Sequence, residues 1–176
     1  MLPLGTPLPD FTLPDPAGAL HGPSDHPDAA GVLVAFVCNH CPYVKHVAPE
    51  LGHLAKGWLD RGLAVFAVNP NDVTAYPDDA PELMPGFAAA NGWTFPYLYD
   101  EAQSVARTYQ AACTPDFFLF DGDRTLAYRG RFDPSRPGSA TPLTGENLSA
   151  AVEAVLSNTP VTVPQLPSIG CSIKWK

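Results

Sequence analysis

A continuous apolar run, Val32-Leu33-Val34-Ala35-Phe36-Val37, follows Gly31 and ends at Cys38-Asn39-His40-Cys41-Pro42. No polar residue interrupts it, so neither face of the strand it predicts can meet water. Such a strand lies inside a sheet covered on both sides. Past Pro42 the period changes: Val44, Val47, Leu51, Leu54, Ala55, Trp58 and Leu59 recur at three- and four-residue steps, which predicts an amphipathic helix. Pro42 suits its first turn, where the missing N–H had no partner. Pro49 is placed to kink its middle, and Gly62 is a natural stop. Leu63-Ala64-Val65-Phe66-Ala67-Val68-Asn69 reads as a second buried strand. Strand, helix, strand in this order predicts a parallel pair joined by a right-handed crossover.

Elsewhere the signals are shorter. Asp10-Phe11-Thr12-Leu13-Pro14 and the turn Asp15-Pro16-Ala17-Gly18 predict an N-terminal hairpin or edge strand. A polar loop at 70–79, a helix near 82–91, a strand at 95–99 and a helix at 102–112 follow. Phe117-Phe118-Leu119-Phe120, the turn Asp121-Gly122-Asp123-Arg124 and the return strand at 126–131 form a second hairpin. Leu148, Val152, Val155 and Leu156 mark the face of a last helix, and residues 159–176 form a Pro-rich, extended C-terminal tail. The expected fold class is α/β, a central mixed sheet flanked by helices, with residues 1–176 as one domain of 176 residues.

Composition narrows the function classes. The net charge of −8, with only 10 Lys and Arg, argues against a nucleic-acid partner, which needs a basic face. No apolar stretch is long enough to span a bilayer. Met1-Leu-Pro-Leu-Gly lacks the basic and apolar segments of a secretory signal, so a cytoplasmic location is expected. There, the four cysteines fit reactive, metal-binding or buried thiols better than structural staples.

Cys38 and Cys41 carry the chemistry. At this spacing on the first turn of a helix, two thiols can close a disulfide without unwinding the chain. The helix N-terminus favours thiolate through its partial positive charge and free N–H groups. Cys38, the outer residue, is expected at solvent as the nucleophile and Cys41 as the resolving thiol. Asn39 and His40 lie between them, and a protonated His40 would stabilise the thiolate and raise the potential. A zinc site would need two more ligands at comparable spacing, and Cys113 and Cys171 are single. The strand–Cys-x-x-Cys–helix context therefore favours a redox pair, with no metal and no cofactor expected.

Pro9-Asp10-Phe11-Thr12-Leu13, Phe36-Val37-Cys38-Asn39-His40-Cys41-Pro42, Thr114-Pro115 before a strand, and the closing Gly170-Cys171-Ser172-Ile173-Lys174-Trp175 together resemble the redoxin branch of the thioredoxin-like superfamily, in particular its peroxiredoxin-like group carrying Cys-x-x-Cys. The resemblance implies a thioredoxin-like fold and thiol–disulfide exchange with protein or small-molecule thiols and disulfides, re-reduced by a thiol reductant. It also implies a cis Pro115, a form that an X-Pro bond reaches at only about 0.5–1 kcal/mol. The backbone of Thr114 would then be free to pair with an extended substrate, and Pro115 would keep metal ions from the thiols. An antioxidant role would follow.

Three departures qualify this. Peroxiredoxins carry Pro-x-x-x-Thr-x-x-Cys; counting back from Cys41 gives Cys38 and Val34, and from Cys38 gives Ala35 and Gly31. The peroxide pocket is thus absent, although a thiol peroxidase stays an alternative, with Arg129 or Arg131 as stand-ins for the family's Arg. No acid lies in the strand before the site, which leaves Glu50, Asp72 or water as proton acceptor. Cys113 replaces the usual apolar or small residue before Thr114-Pro115; it is either a third redox thiol or a small buried hydrophobe. Cys171, on the extended and mobile tail, is a second resolving thiol or a packed or incidental one. A metal-binding module using Cys38, Cys41 and a His, and a redox-inert binding domain that keeps the fold, are the remaining readings.

Overall fold

The structure, a computed structural model, describes residues 2–176. In chain order its elements are β1 (Leu13–Pro14), β2 (Leu20–His21), β3 (Gly31–Phe36), α1 (Pro42–Asp60), β4 (Leu63–Asn69), α2 (Met84–Ala90), β5 (Tyr97–Tyr99), α3 (Ser104–Thr108), β6 (Cys113–Thr114), β7 (Asp116–Phe120), β8 (Leu126–Gly130), α4 (Glu146–Leu156) and β9 (Cys171–Ser172). Short 3-10 turns at Pro77–Asp79 and Pro81–Leu83 precede α2.

The central sheet runs β5-β4-β3-β7-β8. β3 pairs parallel with β4 and antiparallel with β7, and β8 returns antiparallel to β7. This is the expected mixed sheet. Alternation along each strand divides the core. Leu33, Ala35 and Val37 join Val65, Phe117 and Leu119 under α1 and α4. Val32, Val34 and Phe36 join Phe66, Phe118 and Phe120 on the opposite face, with Phe11 and Tyr109. The unbroken apolar run is thus two buried faces seen end to end.

α1 continues through Pro49, which is exposed. A proline inside a helix costs about 3 kcal/mol. The fully buried Val44 and Leu51 and the nearly buried Val47 each contribute about 1.5–3 kcal/mol on the other side, which outweighs it. The Trp93 indole N–H donates to the Ala48 carbonyl at 2.9 Å and ties α1 to the loop after α2.

The helix expected at 102–112 is only α3, five residues long. Gln103 and Gln110, both at positive φ, bracket it, and the buried side chain of Gln103 is bonded elsewhere, to the tail. The N-terminal hairpin is present but reduced to β1 and β2. Among the described residues no helix is long and apolar enough to cross a membrane.

The tail is docked. β9 forms a two-residue antiparallel ladder with β6, Cys113 opposite Ser172 and Thr114 opposite Cys171. Beyond it Ile173 is buried. The Lys174 N–H donates to Asn71 Oδ1 at 2.9 Å. The Lys174 carbonyl accepts from the Asp72 N–H and from Gln103 Nε2, both at 2.8 Å.

Candidate active site

β3 delivers the chain to Cys38, and Cys41 is the N-cap of α1 with extended backbone. All four thiols are free. Cys38 and Cys41 both have 0 % exposure. This corrects the expectation that Cys38 faces solvent. Thr114 packs on both sulfurs, the Asp79 carboxylate holds the loop between them, and the tail pairs with Thr114.

The Thr114–Pro115 bond is cis, as the resemblance implies. Thr114 touches both sulfurs, its Oγ1 3.4 Å from Cys38 Sγ and its carbonyl 3.2 Å from Cys41 Sγ, an acceptor for the Cys41 S–H. The backbone of Thr114 is not free, however. Cys171 already occupies the edge expected to receive an extended substrate.

The two thiols, close neighbours, shift each other in opposite directions. Proximity to Cys38 holds the Cys41 thiol down, against the upward push of burial, with Cys171 and the Val44 N–H assisting. Proximity to Cys41 raises the Cys38 thiol, and burial and the Asp79 carboxylate add to that.

Asp79 organises the loop between the cysteines. Its carboxylate is fully buried. Oδ1 accepts the backbone N–H groups of Asn39 at 2.8 Å and His40 at 3.0 Å. Oδ2 accepts from Asn71 Nδ2 at 2.8 Å and lies 2.5 Å from His40 Nδ1. His40 Nδ1 is 4.0 Å from Cys38 Sγ, so the ring is committed to the carboxylate and only grazes the thiol. Asn39 is fixed in turn by the Tyr97 hydroxyl, which donates to its Oδ1 at 2.9 Å.

Asp79 was missed in the sequence. It lies in a Pro-rich turn about forty positions beyond the cysteines, and Pro77-Asp78-Asp79 reads as any solvated turn. It, and neither Glu50 nor Asp72, is the carboxylate bonded to the Cys38–Cys41 loop; the Asp72 carboxylate accepts from the Thr74 N–H.

Cys38, His40 and Asp79 bring three ligand-type atoms within 4.8 Å of one another. Each Asp79 oxygen already meets two donor groups, so the carboxylate is committed to the loop between the cysteines.

The remaining candidates separate by strand alternation. The Thr114 side chain faces the cysteine pair. Cys171, directly opposite, shares that face and lies close enough to Cys41 to shift its thiol. Cys113, the preceding residue, turns away and donates its S–H to the Pro115 carbonyl at 3.5 Å. Burial, then the Asp116 charge, pushes its thiol up to about 12. The two arginines point elsewhere. Arg129 donates to the Leu2 carbonyl, and Arg131 Nε to Asn147 Oδ1 at 2.9 Å.

The family model described as the AhpC/TSA family matches residues 4–129. Two solved structures superpose over the whole chain. One is a hypothetical protein from Sinorhizobium meliloti 1021, 46% identical, TM-score 0.97, with 100% of this chain and 96% of that one covered. The other is an uncharacterized conserved protein from Geobacillus kaustophilus, 48% identical, TM-score 0.95, with 100% and 94% covered. The thioredoxin domain of a thiol-disulfide oxidoreductase from Bacteroides vulgatus shares the fold at 17% identity, TM-score 0.65, covering 86% of this chain and 99% of that one. A search of curated proteins gives no match. A sheet that delivers Cys38 and Cys41 to a helix start beside a cis Pro115, with the family match over most of the chain, places this protein in the AhpC/TSA family, with a thioredoxin-like fold.

Proposed function

We propose that the chain is a thiol–disulfide oxidoreductase acting through Cys38 and Cys41, with protein or small-molecule disulfides as substrates and a thiol reductant to restore it. The observation that carries this is the placement of the pair: Cys38 and Cys41 stand at the start of α1 beside the cis Pro115, and Thr114 touches both sulfurs.

Once the tail leaves, Cys38, beside the Thr114 hydroxyl, gives up its proton and becomes the nucleophile, while the Cys41 S–H stays on the Thr114 carbonyl. Cys38 attacks one substrate sulfur; the substrate S–S bond breaks, one thiolate leaves, and a mixed disulfide forms. Cys41 then loses its proton, attacks Cys38 Sγ, releases the second substrate thiolate and closes Cys38–Cys41. The His40–Asp79 pair is the adjacent polar group through which a proton reaches solvent.

Supporting dithiol exchange over peroxide reduction, neither Arg129 nor Arg131 is directed at the sulfurs. An antioxidant role in the cytoplasm would be one use of this chemistry.

The test is a titration of the purified protein against glutathione, with thiols alkylated and read by mass. Interconversion of Cys38 and Cys41 as a pair at one potential, abolished in Cys38→Ser and Cys41→Ser, is the expected result. A pair that stays reduced in oxidising buffer sinks the reading. Peroxide consumption with an added thiol, lost in the same variants, would favour the peroxidase instead.

A further inference from the structure

The disulfide that exchange at Cys38 and Cys41 would generate lies between two sulfurs without solvent exposure. A reductant cannot approach either one while the tail is docked. The tail itself carries a further thiol, Cys171, opposite Thr114.

Cys171 stands opposite Thr114 in the β6–β9 ladder. Residues opposite each other in such a ladder project their side chains to the same face, about 4.5–5.5 Å apart. Thr114 Oγ1 is 3.4 Å from Cys38 Sγ, which fixes that face as the one turned to the cysteines. Cys171 packs against the core cluster that contains them, close enough to Cys41 that each thiol shifts the other's proton affinity. Unlike them it is half-exposed.

The approach of the strand is built in. A Cβ on Gly170 would lie 2.1 Å from the Thr114 carbonyl oxygen and 2.6 Å from its carbon, so only glycine lets β9 come this close.

We infer that Cys171 is a third exchange thiol, which moves the disulfide from the buried Cys38–Cys41 pair onto the tail. Its thiolate attacks Cys41 Sγ; the Cys41–Cys171 bond forms, the Cys38–Cys41 bond breaks, and Cys38 leaves as a thiolate. The Cys171 proton goes to solvent, and Cys38 takes one up. No electrons are gained or lost, so no further oxidant is needed. A small thiol or dithiol reductant then meets the half-exposed Cys171 sulfur. This inference rests on the proposed exchange activity and adds a residue that the Cys-x-x-Cys motif does not contain.

The charge balance times the step. In the reduced site, burial and then the hydrogen bond and charge of Cys41 push the Cys171 thiol up to about 11, while Lys174 draws it down. Oxidation of the pair removes the Cys41 thiolate and with it two of the causes that raise Cys171. Lys174 stays. Cys171 therefore gains nucleophilicity when there is a disulfide to attack.

The decisive protein is Cys38→Ser, treated with oxidised glutathione, alkylated and digested. We expect the loss of two hydrogens and a cross-link between the peptides carrying Cys41 and Cys171. Adding Gly170→Ala should slow that cross-link by about tenfold, since overpacking of this kind costs about 1–3 kcal/mol. Stable glutathione adducts at Cys41 without the cross-link, or a Cys113–Cys171 cross-link in its place, would overturn the inference. Wild-type protein, briefly oxidised and acid-quenched, gives a reading independent of the variant's folding: a Cys41–Cys171 species with an alkylatable Cys38 is expected, and its absence counts against the step. If Cys38–Cys41 forms in wild type but Cys41–Cys171 never does, Cys171 is inert and the exchange reading survives. If neither forms, both fall.

Discussion

Thr114 faces Cys171 across the β6–β9 ladder while touching Cys38 through its hydroxyl and Cys41 through its carbonyl. One residue thus links the docking edge, the tail that covers it and both sulfurs. The edge that an extended substrate would use and the cysteine pair therefore meet at Thr114.

Gly170→Ala should open the site. Its Cβ would collide with Thr114 backbone atoms, which cannot rotate away as a side chain could. A penalty of about 1–3 kcal/mol shifts the docked equilibrium by roughly tenfold or more. The expected outcome is faster iodoacetamide labelling of Cys38 and Cys41 by about that factor. Unchanged rates would mean that β9 does not gate the thiols.

Asp79→Asn should lower the pH at which Cys38 is alkylated. The carboxylate charge is one of the causes raising that thiol, so its removal moves the profile toward acid. The amide also puts an NH2 group where Asn71 and His40 now meet an oxygen. A buried donor left unpaired costs about 1–3 kcal/mol, so the melting temperature should fall as well. A profile that moved toward alkali would contradict the assigned cause.

Asp133 should make the stability of the loop before α4 depend on acid pH. Burial alone would raise its carboxyl, but hydrogen bonds from Ser135, Gly145 and Thr144 hold it below 3.8. A group depressed in the fold contributes stability that is present above its unfolded value and is lost as pH falls through the folded one. Asp133→Asn should therefore cost stability near neutral pH, and the gap to wild type should narrow below 3.8. Denaturant melts at several pH values measure this, and a gap constant with pH would refute it.

Gly52→Ala tests the packing of α1. Its Cβ would lie 2.0 Å from the Asn91 carbonyl oxygen and 2.9 Å from the Trp93 ring. Alanine normally favours a helix over glycine by about 1 kcal/mol, yet here the overlap of about 1–3 kcal/mol should win. A melting temperature lower by several degrees is expected, at about 2–4 °C per kcal/mol for a chain of this size. A stabilised variant would show that the turn after α2 moves away freely.

The sequence by itself determined the parts written in contiguous residues. The run from Val32 to Val37 can be satisfied only by burial on both faces, and the change of period at Pro42 places Cys41 at a helix start. Those two local facts fix the central strands and the cysteine pair. The position of Thr114-Pro115 came from the family resemblance, since the dipeptide alone opens many strands.

What only the tertiary structure decided involves residues far apart in the chain. Asp79 reaches back to Asn39 and His40, and Cys171 reaches back to Thr114 and Cys41. Neither has a local signal, because a short acidic turn and a Pro-rich tail carry no hydrophobic period to announce where they dock. The same holds for exposure. Cys38 looks like the outer thiol of its motif, but whether water reaches it depends on what lies across the site, and here that includes Thr114, 76 positions away in the chain.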